Sequence, residues 1–343
     1  MVLHYKKCFV LEYQTMKLIL RILLAFITTV SLASADEWSF TRADFTFEND
    51  ADVRTDRAYT QGGKLYVLMH REDVNDSWLQ IPFMSAYNRE QFISFAVAQQ
   101  MFTPDDLKSS AAIPGQQPYA GWLYFQTTLS QSSEQHLDSL SLKLGVVGQH
   151  SYMENTQKFI HWLIGSPDPE GWGNQLGSKP GIQLDYMHKW RYLPDDFLDL
   201  ESDVIPFVSG EFGNVAIEGS VGGQWRVGYN IPNDYGESPM DEYGENGILT
   251  KETLNYRHKD KWSYYFNFGV GASVVLYDYF LDGTTLNGEQ LVQKYYGRAF
   301  GTYGGTVRYE SFSMSYIRTH YSQLYTTQDG HTNYGSLQMV YHF

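Results

Sequence analysis

Apolar and polar residues alternate with a period of two over several stretches of the chain. From position 139 to 146, leucine or valine occupies each even position, and serine, lysine or glycine occupies each odd position. The segments 64–69 and 311–316 show a similar alternation. Because successive side chains of a β-strand point to opposite faces, this pattern predicts strands with one lipid-compatible face and one polar face.

The alternation predicts twelve strands along the chain. They cover 38–48, 61–70, 90–101, 119–130, 137–148, 180–191, 203–213, 218–230, 261–276, 295–308, 310–321 and 333–343. Most are close to the roughly 9–11 residues that a tilted strand needs to cross a bilayer. An even strand number is typical of bacterial outer-membrane barrels. We therefore predict an all-β fold, a twelve-stranded antiparallel transmembrane β-barrel in the outer membrane of a Gram-negative bacterium.

The connections follow from the direction of the first strand. With both chain ends in the periplasm, the outer loops are 49–60, 102–118, 149–179, 214–217, 277–294 and 322–332. The same alternation of outer loops and periplasmic turns places the segment 231–260 in the periplasm, where turns are usually short. The pattern offers no explanation for that segment.

One outer loop is predicted to contain a short helix. Ser151 and Glu154 have the spacing of a capping box, and Gly165 predicts the end of a helix over 152–164. With 3.6 residues per turn, Glu154, Gln157 and His161 share one face, so we expect Gln157 and Glu154 to orient the His161 imidazole. The opposite side is apolar, so we expect the helix to lean on the barrel.

The first 35 residues are predicted to be a leader that ends in a secretory signal peptide. A positive start at Lys17 and Arg21, a short apolar core and the sequence Ala33-Ser34-Ala35 fit such a signal. The residues before Met16 do not fit it, so Met16 is the expected start and 36–343 the mature barrel. The sole cysteine lies in this leader, so we expect no disulfide.

Composition and charge support a barrel and exclude one class of partner. Aromatic residues make up 16% of the chain, with 27 Tyr and 30 Gly, as in a barrel with aromatic girdles. After the leader there is no run of about 18 apolar residues that would form a membrane helix. Removing residues 1–35 changes the formal net charge from -14 to -17. We expect no nucleic-acid binding from so acidic a protein.

Three residues carry the chemistry that the sequence suggests. His161 is a candidate base, because a neutral imidazole takes a proton from water near neutral pH. The alternative is a surface histidine beside Trp162 that touches lipid head groups. Asn49 and Asp50 offer hard oxygen ligands that suit Ca²⁺, although both residue types are also common in ordinary turns.

A rival constellation lies at the end of the eleventh predicted strand. His320 and Ser322 are two residues apart, so they share a face and are a possible base and nucleophile. The chain has no G-x-S-x-G elbow, no H-E-x-x-H motif and no cysteine nucleophile after the leader.

Two motifs together resemble the outer-membrane lipid A 3'-O-deacylase family. The first comprises Asn49, Asp50, Thr55, Asp56, Arg57, Tyr59, Thr60 and Gly62. The second comprises Val147, Gly148, Gln157, His161, Ile164, Gly165, Gly171, Trp172, Asn174 and Gln175. The resemblance extends over nearly the whole mature chain.

The resemblance implies an active site between the barrel wall and the loop helix, facing the outer leaflet. It implies that His161 is the general base that activates water, and that Asn49, Asp50 and Thr60 are an essential amide, carboxylate and hydroxyl. It further implies supporting roles for three residues of the motifs: Gln157, Arg57 and Tyr59.

The resemblance also implies a calcium ion that stabilises the oxyanion, as in secreted phospholipase A2. Asp50 is the expected carboxylate ligand. A characterised relative has a glutamate shortly after the helix, where this chain has Pro167. The nearby Asp168 and Glu170 are the residues expected to substitute for it as metal ligands.

The predicted function is removal of the 3'-linked acyloxyacyl chain of lipid A, with lipopolysaccharide and outer-membrane lipids as partners. The terminal Phe343 resembles the signal by which the barrel assembly machinery takes up its substrates. Two alternatives remain: a non-catalytic structural or binding barrel, and a phospholipase on the same scaffold.

Overall fold

The described residues form a closed antiparallel barrel of twelve strands. The computed structural model describes residues 38–50, 58–71, 90–194, 199–240, 247–250 and 261–343. Each strand pairs with its neighbours in sequence, and β12 pairs with β1 to close the barrel. The strands are β1 Ser39–Asn49, β2 Ala58–Arg71, β3 Glu90–Thr103, β4 Ala120–Ser132, β5 His136–Val147, β6 Lys179–Trp190, β7 Glu201–Gly213, β8 Ala216–Tyr229, β9 Trp262–Asp278, β10 Gly297–Tyr309, β11 Phe312–Tyr321 and β12 Thr332–His342.

This architecture confirms the predicted fold. All twelve predicted strands are present, and their boundaries differ from the predicted ones by three residues at most. The predicted leader, with Met16 and Cys8, lies outside the described residues, as does most of the loop 49–60. In the described part of the chain, no helix is long and apolar enough to cross a membrane.

The period of two decides which face of the wall each side chain occupies. In β11, Ser313, Ser315 and Ile317 are buried towards the lumen, whereas Phe312 and Met314 are about half exposed on the outside. The exposed apolar residues of the other strands repeat this arrangement, which suits a wall in contact with hydrocarbon. We call the end of the barrel at which β1 terminates the outer end, following the predicted orientation.

The predicted loop helix is present as α1, Met153–Ile164. It ends as predicted at Gly165, whose φ of 73° is the left-handed conformation that glycine adopts readily. The predicted capping box is wrong, because Tyr152 is the N-cap residue and no side chain caps the helix. Short 3-10 helices flank α1 at Gln149–Ser151 and Gly171–Asn174, and a four-residue helix, α2, covers Tyr279–Asp282.

The segment that the sequence left unexplained folds into the lumen. Most of the residues in 231–240 and 247–250 are buried, and we call these two stretches the plug. The Arg42 guanidinium of β1 donates to both carboxylate oxygens of Glu237 at 2.8 and 2.7 Å, and its Nε donates to Asp44 at 2.8 Å. Because an unpaired charge in this position would be costly, the pair of Arg42 and Glu237 holds the plug to the wall.

A second set of buried ion pairs fixes the other side of the plug. Arg226 of β8 contacts Asp203 of β7 and Asp234 of the plug, at 2.5 Å in each case.

At the outer end of the barrel, Leu281, Val292 and Tyr325 pack together across the loops. A cavity of about 220 Å³ lies inside the lumen.

Candidate active site

Asn49 of the first motif lies at the outer rim of the wall, on a row of paired residues that crosses four strands. Asn49 of β1 is the register partner of Gln61 in β2, which pairs with Met101 in β3, which in turn pairs with Gly121 in β4. Since neighbouring strands are about 4.8 Å apart, this row spans roughly 14 Å. Gln100 and Phe102 line the cavity of the lumen, so Met101 between them faces the outside, as does the whole row.

The segment that contains α1 covers this row from the outside. Met101 is fully buried although it faces outwards, because Met153, Tyr119 and Trp172 pack against it. Gly121 makes the close approach possible, since a Cβ at this position would overlap the side chains of Ser151 and Met153. The start of the helix therefore rests directly on the backbone of β4.

Gln99 of β3 fastens the start of the helix to the wall. Its amide nitrogen donates to the carbonyl of Ser151 at 2.8 Å, and its amide oxygen accepts from the Thr156 hydroxyl at 3.2 Å. Like Met101, Gln99 is on the outward face of β3. One amide thus bonds to two consecutive turns of the covering segment.

The helix α1 leans on the barrel as predicted, but it does so with its polar face, and the prediction that its apolar side would face the wall is wrong. Gln157 and His161 are buried against the barrel, whereas Trp162, Leu163 and Ile164 are between 64 and 68% exposed. The Gln157 oxygen accepts from the indole nitrogen of Trp172 at 2.7 Å. The Trp172 ring in turn packs on Tyr119, with ring centroids 4.9 Å apart.

His161 is held by the backbone that follows the helix. Its Nδ1 lies 2.5 Å from the carbonyl oxygen of Pro167. A carbonyl oxygen accepts and cannot donate, so Nδ1 carries the proton in this bond. In the neutral ring Nε2 is then the unprotonated nitrogen, the form that a general base requires.

Glu154 does not orient His161. Its carboxylate accepts from Lys158 at 2.6 Å, one turn along the exposed side of the helix. The prediction that Glu154 positions the imidazole is therefore wrong. The Pro167 carbonyl supplies that orientation.

Asn49, Asp50 and Thr60 converge where β1 ends and β2 begins. The Thr60 carbonyl accepts from the Asn49 side-chain amide at 3.3 Å and from the Asp50 backbone N–H at 3.2 Å. The Thr60 hydroxyl lies 2.6 Å from the Thr103 hydroxyl at the outer end of β3. Asp50 is fully buried. Through β3, these contacts connect the first motif to the wall that α1 covers.

Tyr59 lies on the other side of the wall. Its hydroxyl donates to Glu48 at 2.6 Å, and Glu48 also accepts from Ser336 and from the backbone N–H of Met240 in the plug. Tyr59 and Glu48 line the lumen. A register shift between Tyr59 and Gln61 in the β2–β3 pairing places these two residues on opposite faces. Tyr59 therefore supports the outer end of the plug.

The predicted metal ligands are not gathered into one cluster. Asp168 and Glu170 are both exposed in the segment after α1, and Arg57 lies outside the described residues. In the part of the chain that the structure describes, no three Asp, Glu, His or Cys side chains are close enough to share a metal ion. Asp50 and Asn49 nonetheless fit calcium in their chemistry, because this ion takes carboxylate and amide oxygens and fills its shell with water.

The rival pair does not form a base and a nucleophile. The Ser322 hydroxyl accepts from the backbone N–H of Ala299 at 3.1 Å. His320 lies 2.6 Å from the Asn333 amide oxygen and stacks on the Tyr303 ring.

Sequence reasoning missed two residues that build the site. Gln99 is a polar residue at an outward position between Val97 and Met101, and that interruption of an apolar face was an available signal. Gly121 had no signal beyond its residue type, because its role depends on a segment about thirty residues away.

Comparison with known proteins identifies the family. The sequence model described as outer membrane protein LpxR matches residues 18–343. This chain belongs to the LpxR family. The match confirms the outer-membrane location and the resemblance to the lipid A 3'-O-deacylase family, and it indicates a function of the lipid A deacylase type.

A solved LpxR structure has the same fold. LpxR from Salmonella typhimurium superposes with a TM-score of 0.73 at 18% identity, over 88% of this chain and 100% of that chain. The translocator domain of the autotransporter NalP from Neisseria meningitidis gives a TM-score of 0.42 at 10% identity, over 96% and 98% of the two chains. The comparison with curated proteins gave no match.

Proposed function

We propose that this protein is an esterase that removes the 3'-linked acyloxyacyl chain of lipid A at the outer leaflet. Family membership supports the substrate class. The observation that carries the chemistry is the bond between His161 Nδ1 and the Pro167 carbonyl, which keeps Nε2 available as a proton acceptor. In support of this role, His161 belongs to the buried face of α1, which packs against the outer rim of the wall.

In the proposed reaction His161 acts on water and needs no covalent intermediate. Nε2 removes a proton from a water molecule, whose oxygen attacks the ester carbonyl carbon. The imidazolium then returns the proton to the leaving 3'-oxygen as the carbon–oxygen bond breaks. The products are the free 3'-hydroxyl and a fatty acid, so one water molecule is consumed for each ester.

The polar residues at the end of β1 would stabilise the charge that develops on the carbonyl oxygen. Asp50 and Asn49 are the residues that would hold a calcium ion, whose charge would act on that oxyanion. Thr60 orients both residues through its carbonyl. Calcium is the proposed cofactor on the strength of this oxygen-rich donor set.

The exposed side of α1 suits a substrate that resides in a membrane. Phe159, Trp162, Leu163 and Ile164 form an apolar surface on the side of the helix opposite His161. Contact of this surface with acyl chains would keep the buried face, and with it His161, at the level of the lipid.

The test uses the purified protein with lipid A and with a diacyl phospholipid in separate detergent assays. We expect release of the 3'-linked acyl chain from lipid A, its loss in His161→Ala, and its loss when a chelator removes calcium. Full activity in the presence of the chelator would contradict the role of calcium but not the role of His161. Hydrolysis of the phospholipid and not of lipid A would instead support the phospholipase alternative, and hydrolysis of neither would support a non-catalytic barrel.

A further inference from the structure

A polar patch interrupts the lipid-facing wall on the side of Asn49 away from α1. It consists of Arg318 and His320 of β11 and Asn333 of β12. In β11, Phe312, Met314 and Tyr316 are exposed on the outside, and the next residues on the same face are Arg318 and His320. Their neighbours Ile317 and Thr319 are buried on the lumen side. The patch therefore faces the outer leaflet, in the outer part of the wall.

An arginine on this face needs an explanation. Cations on the lipid side of a barrel are unfavourable at the membrane centre, and less so near the interface. At this level the guanidinium meets the head groups of lipids, and its planar shape suits a phosphate, which it binds with two parallel hydrogen bonds.

The strand register places Arg318 close to the candidate active site. Asn49 is the partner of Gly335 in β12, and Gly335 is the partner of Arg318 in β11. Two strand spacings separate Asn49 from Arg318, about 10 Å along the wall. Gly335 has no side chain between them, and a Cβ at this position would lie 2.6 Å from the Tyr316 hydroxyl. The Tyr316 side chain therefore lies over Gly335, and its hydroxyl is a further polar group between Asn49 and Arg318.

His320 is oriented to contribute to the same patch. Its Nδ1 lies 2.6 Å from the Asn333 amide oxygen, so the other ring nitrogen is directed away from β12. Its ring stacks on Tyr303, at an interplanar angle of 12°. Next to the patch, a shallow groove runs along the wall, lined by Gly301, Val270, Gly223 and Trp225. Its apolar lining would accommodate an acyl chain whose head group lies at the patch.

We propose that Arg318, with His320 and Asn333, binds a phosphate group of a phosphorylated glycolipid in the outer leaflet. When the bound lipid is lipid A, the patch positions the substrate, and a 3'-ester then lies towards Asn49 and His161. This second statement rests on the proposed deacylase function, whereas the binding of the phosphate does not.

The binding test uses two ligands and a background without turnover. In the His161→Ala protein, affinity is measured by native mass spectrometry for bisphosphorylated lipid A and for the same lipid after enzymatic dephosphorylation. We expect the phosphorylated form to bind about tenfold tighter or better, as for a hydrogen bond to a charged group. Arg318→Gln should abolish this preference, and Arg318→Lys should retain part of it. Equal preference with and without Arg318 would overturn the proposal.

Matched controls separate the patch from general charge effects. Lys261→Gln removes an exposed positive charge at the inner end of β9 and should leave the preference intact. Asn333→Asp adds a negative charge to the patch without removing Arg318, and should weaken binding of the phosphorylated lipid. Asn287→Asp makes the same change in an exposed outer loop and should leave binding of the phosphorylated lipid unchanged. If Asn333→Asp and Asn287→Asp have the same effect, the patch is not the binding site.

The kinetic arm tests the positioning of the substrate. In the active protein, Arg318→Gln should raise KM for bisphosphorylated lipid A about tenfold with little change in kcat. It should leave KM for the dephosphorylated lipid unchanged. If the unsubstituted protein hydrolyses neither lipid, the proposed function fails, and the binding test still decides the role of the patch.

Discussion

The imidazole Nδ1 of His161 lies 2.5 Å from the carbonyl oxygen of Pro167, which belongs to the segment that follows α1. The turn at Gly165 brings that carbonyl back to the last turn of the helix. The backbone therefore selects the tautomer of the candidate base, and no carboxylate side chain is needed for this purpose.

This bond predicts the tautomer that spectroscopy should detect. Histidine labelled with ¹⁵N should show a neutral ring protonated at Nδ1, in a signal that disappears in His161→Ala. Nitrogen NMR of the barrel in detergent micelles at alkaline pH checks this. A ring protonated at Nε2 would contradict the assignment of that nitrogen as the proton acceptor.

The contact between Gly121 and the start of α1 predicts a selective loss of activity. In Gly121→Ala the added methyl group would push Ser151 and Met153 outwards. A displacement of about 1 Å in a catalytic group costs up to roughly a hundredfold in rate. We expect such a loss of lipid A hydrolysis in a barrel that still folds. Gly297→Ala is the control, because its added methyl group meets no atom within 4 Å.

The bond between Trp172 and Gln157 predicts a looser covering segment when it is removed. Trp172→Phe keeps a ring in place but leaves the buried Gln157 oxygen without this donor. We expect the free energy that holds the covering segment in place to fall by about 1–3 kcal/mol, the penalty for a buried acceptor without a donor. Limited proteolysis should show faster cleavage within 149–176. Trp162→Phe, which changes an indole that is 68% exposed, should be cleaved at the original rate.

The ion pairs of the plug predict a large loss of stability. Glu237→Gln leaves the buried Arg42 guanidinium with a single carboxylate partner, Asp44. Breaking a buried pair costs about 3–5 kcal/mol. Unfolding in guanidinium chloride, followed by tryptophan fluorescence, measures the change. Glu310→Gln disrupts an exposed pair with Lys261 and should cost about 1 kcal/mol or less.

The fold was predictable because each strand carries its own signal. The alternation of residues such as Leu140 and Ser139 is local, and it identified all twelve strands. The helix was likewise predictable from its period and from Gly165. The plug was not, because Arg42 and Glu237 are 195 residues apart and neither shows its partner in the sequence.

The candidate site was predictable in part. His161, Asn49, Asp50 and Thr60 were identified by a motif, and the structure places the last three in mutual contact. The face of Tyr59 was not predictable, because the register shift beside it breaks the alternation that a sequence pattern assumes. The capping residue also escaped prediction, since Tyr152 has a left-handed conformation that the residue type does not favour.

The most direct test of the account is mass spectrometry of lipid A from cells that express this protein. The control variants are His161→Ala and His150→Ala, which change a buried and an exposed histidine of the same loop. We expect loss of one 3'-linked acyloxyacyl unit with the unsubstituted protein and with His150→Ala, and unchanged lipid A with His161→Ala. Unchanged lipid A in all three, with the barrel folded in the outer membrane, would contradict the deacylase function. Full deacylation by His161→Ala would contradict the assigned base.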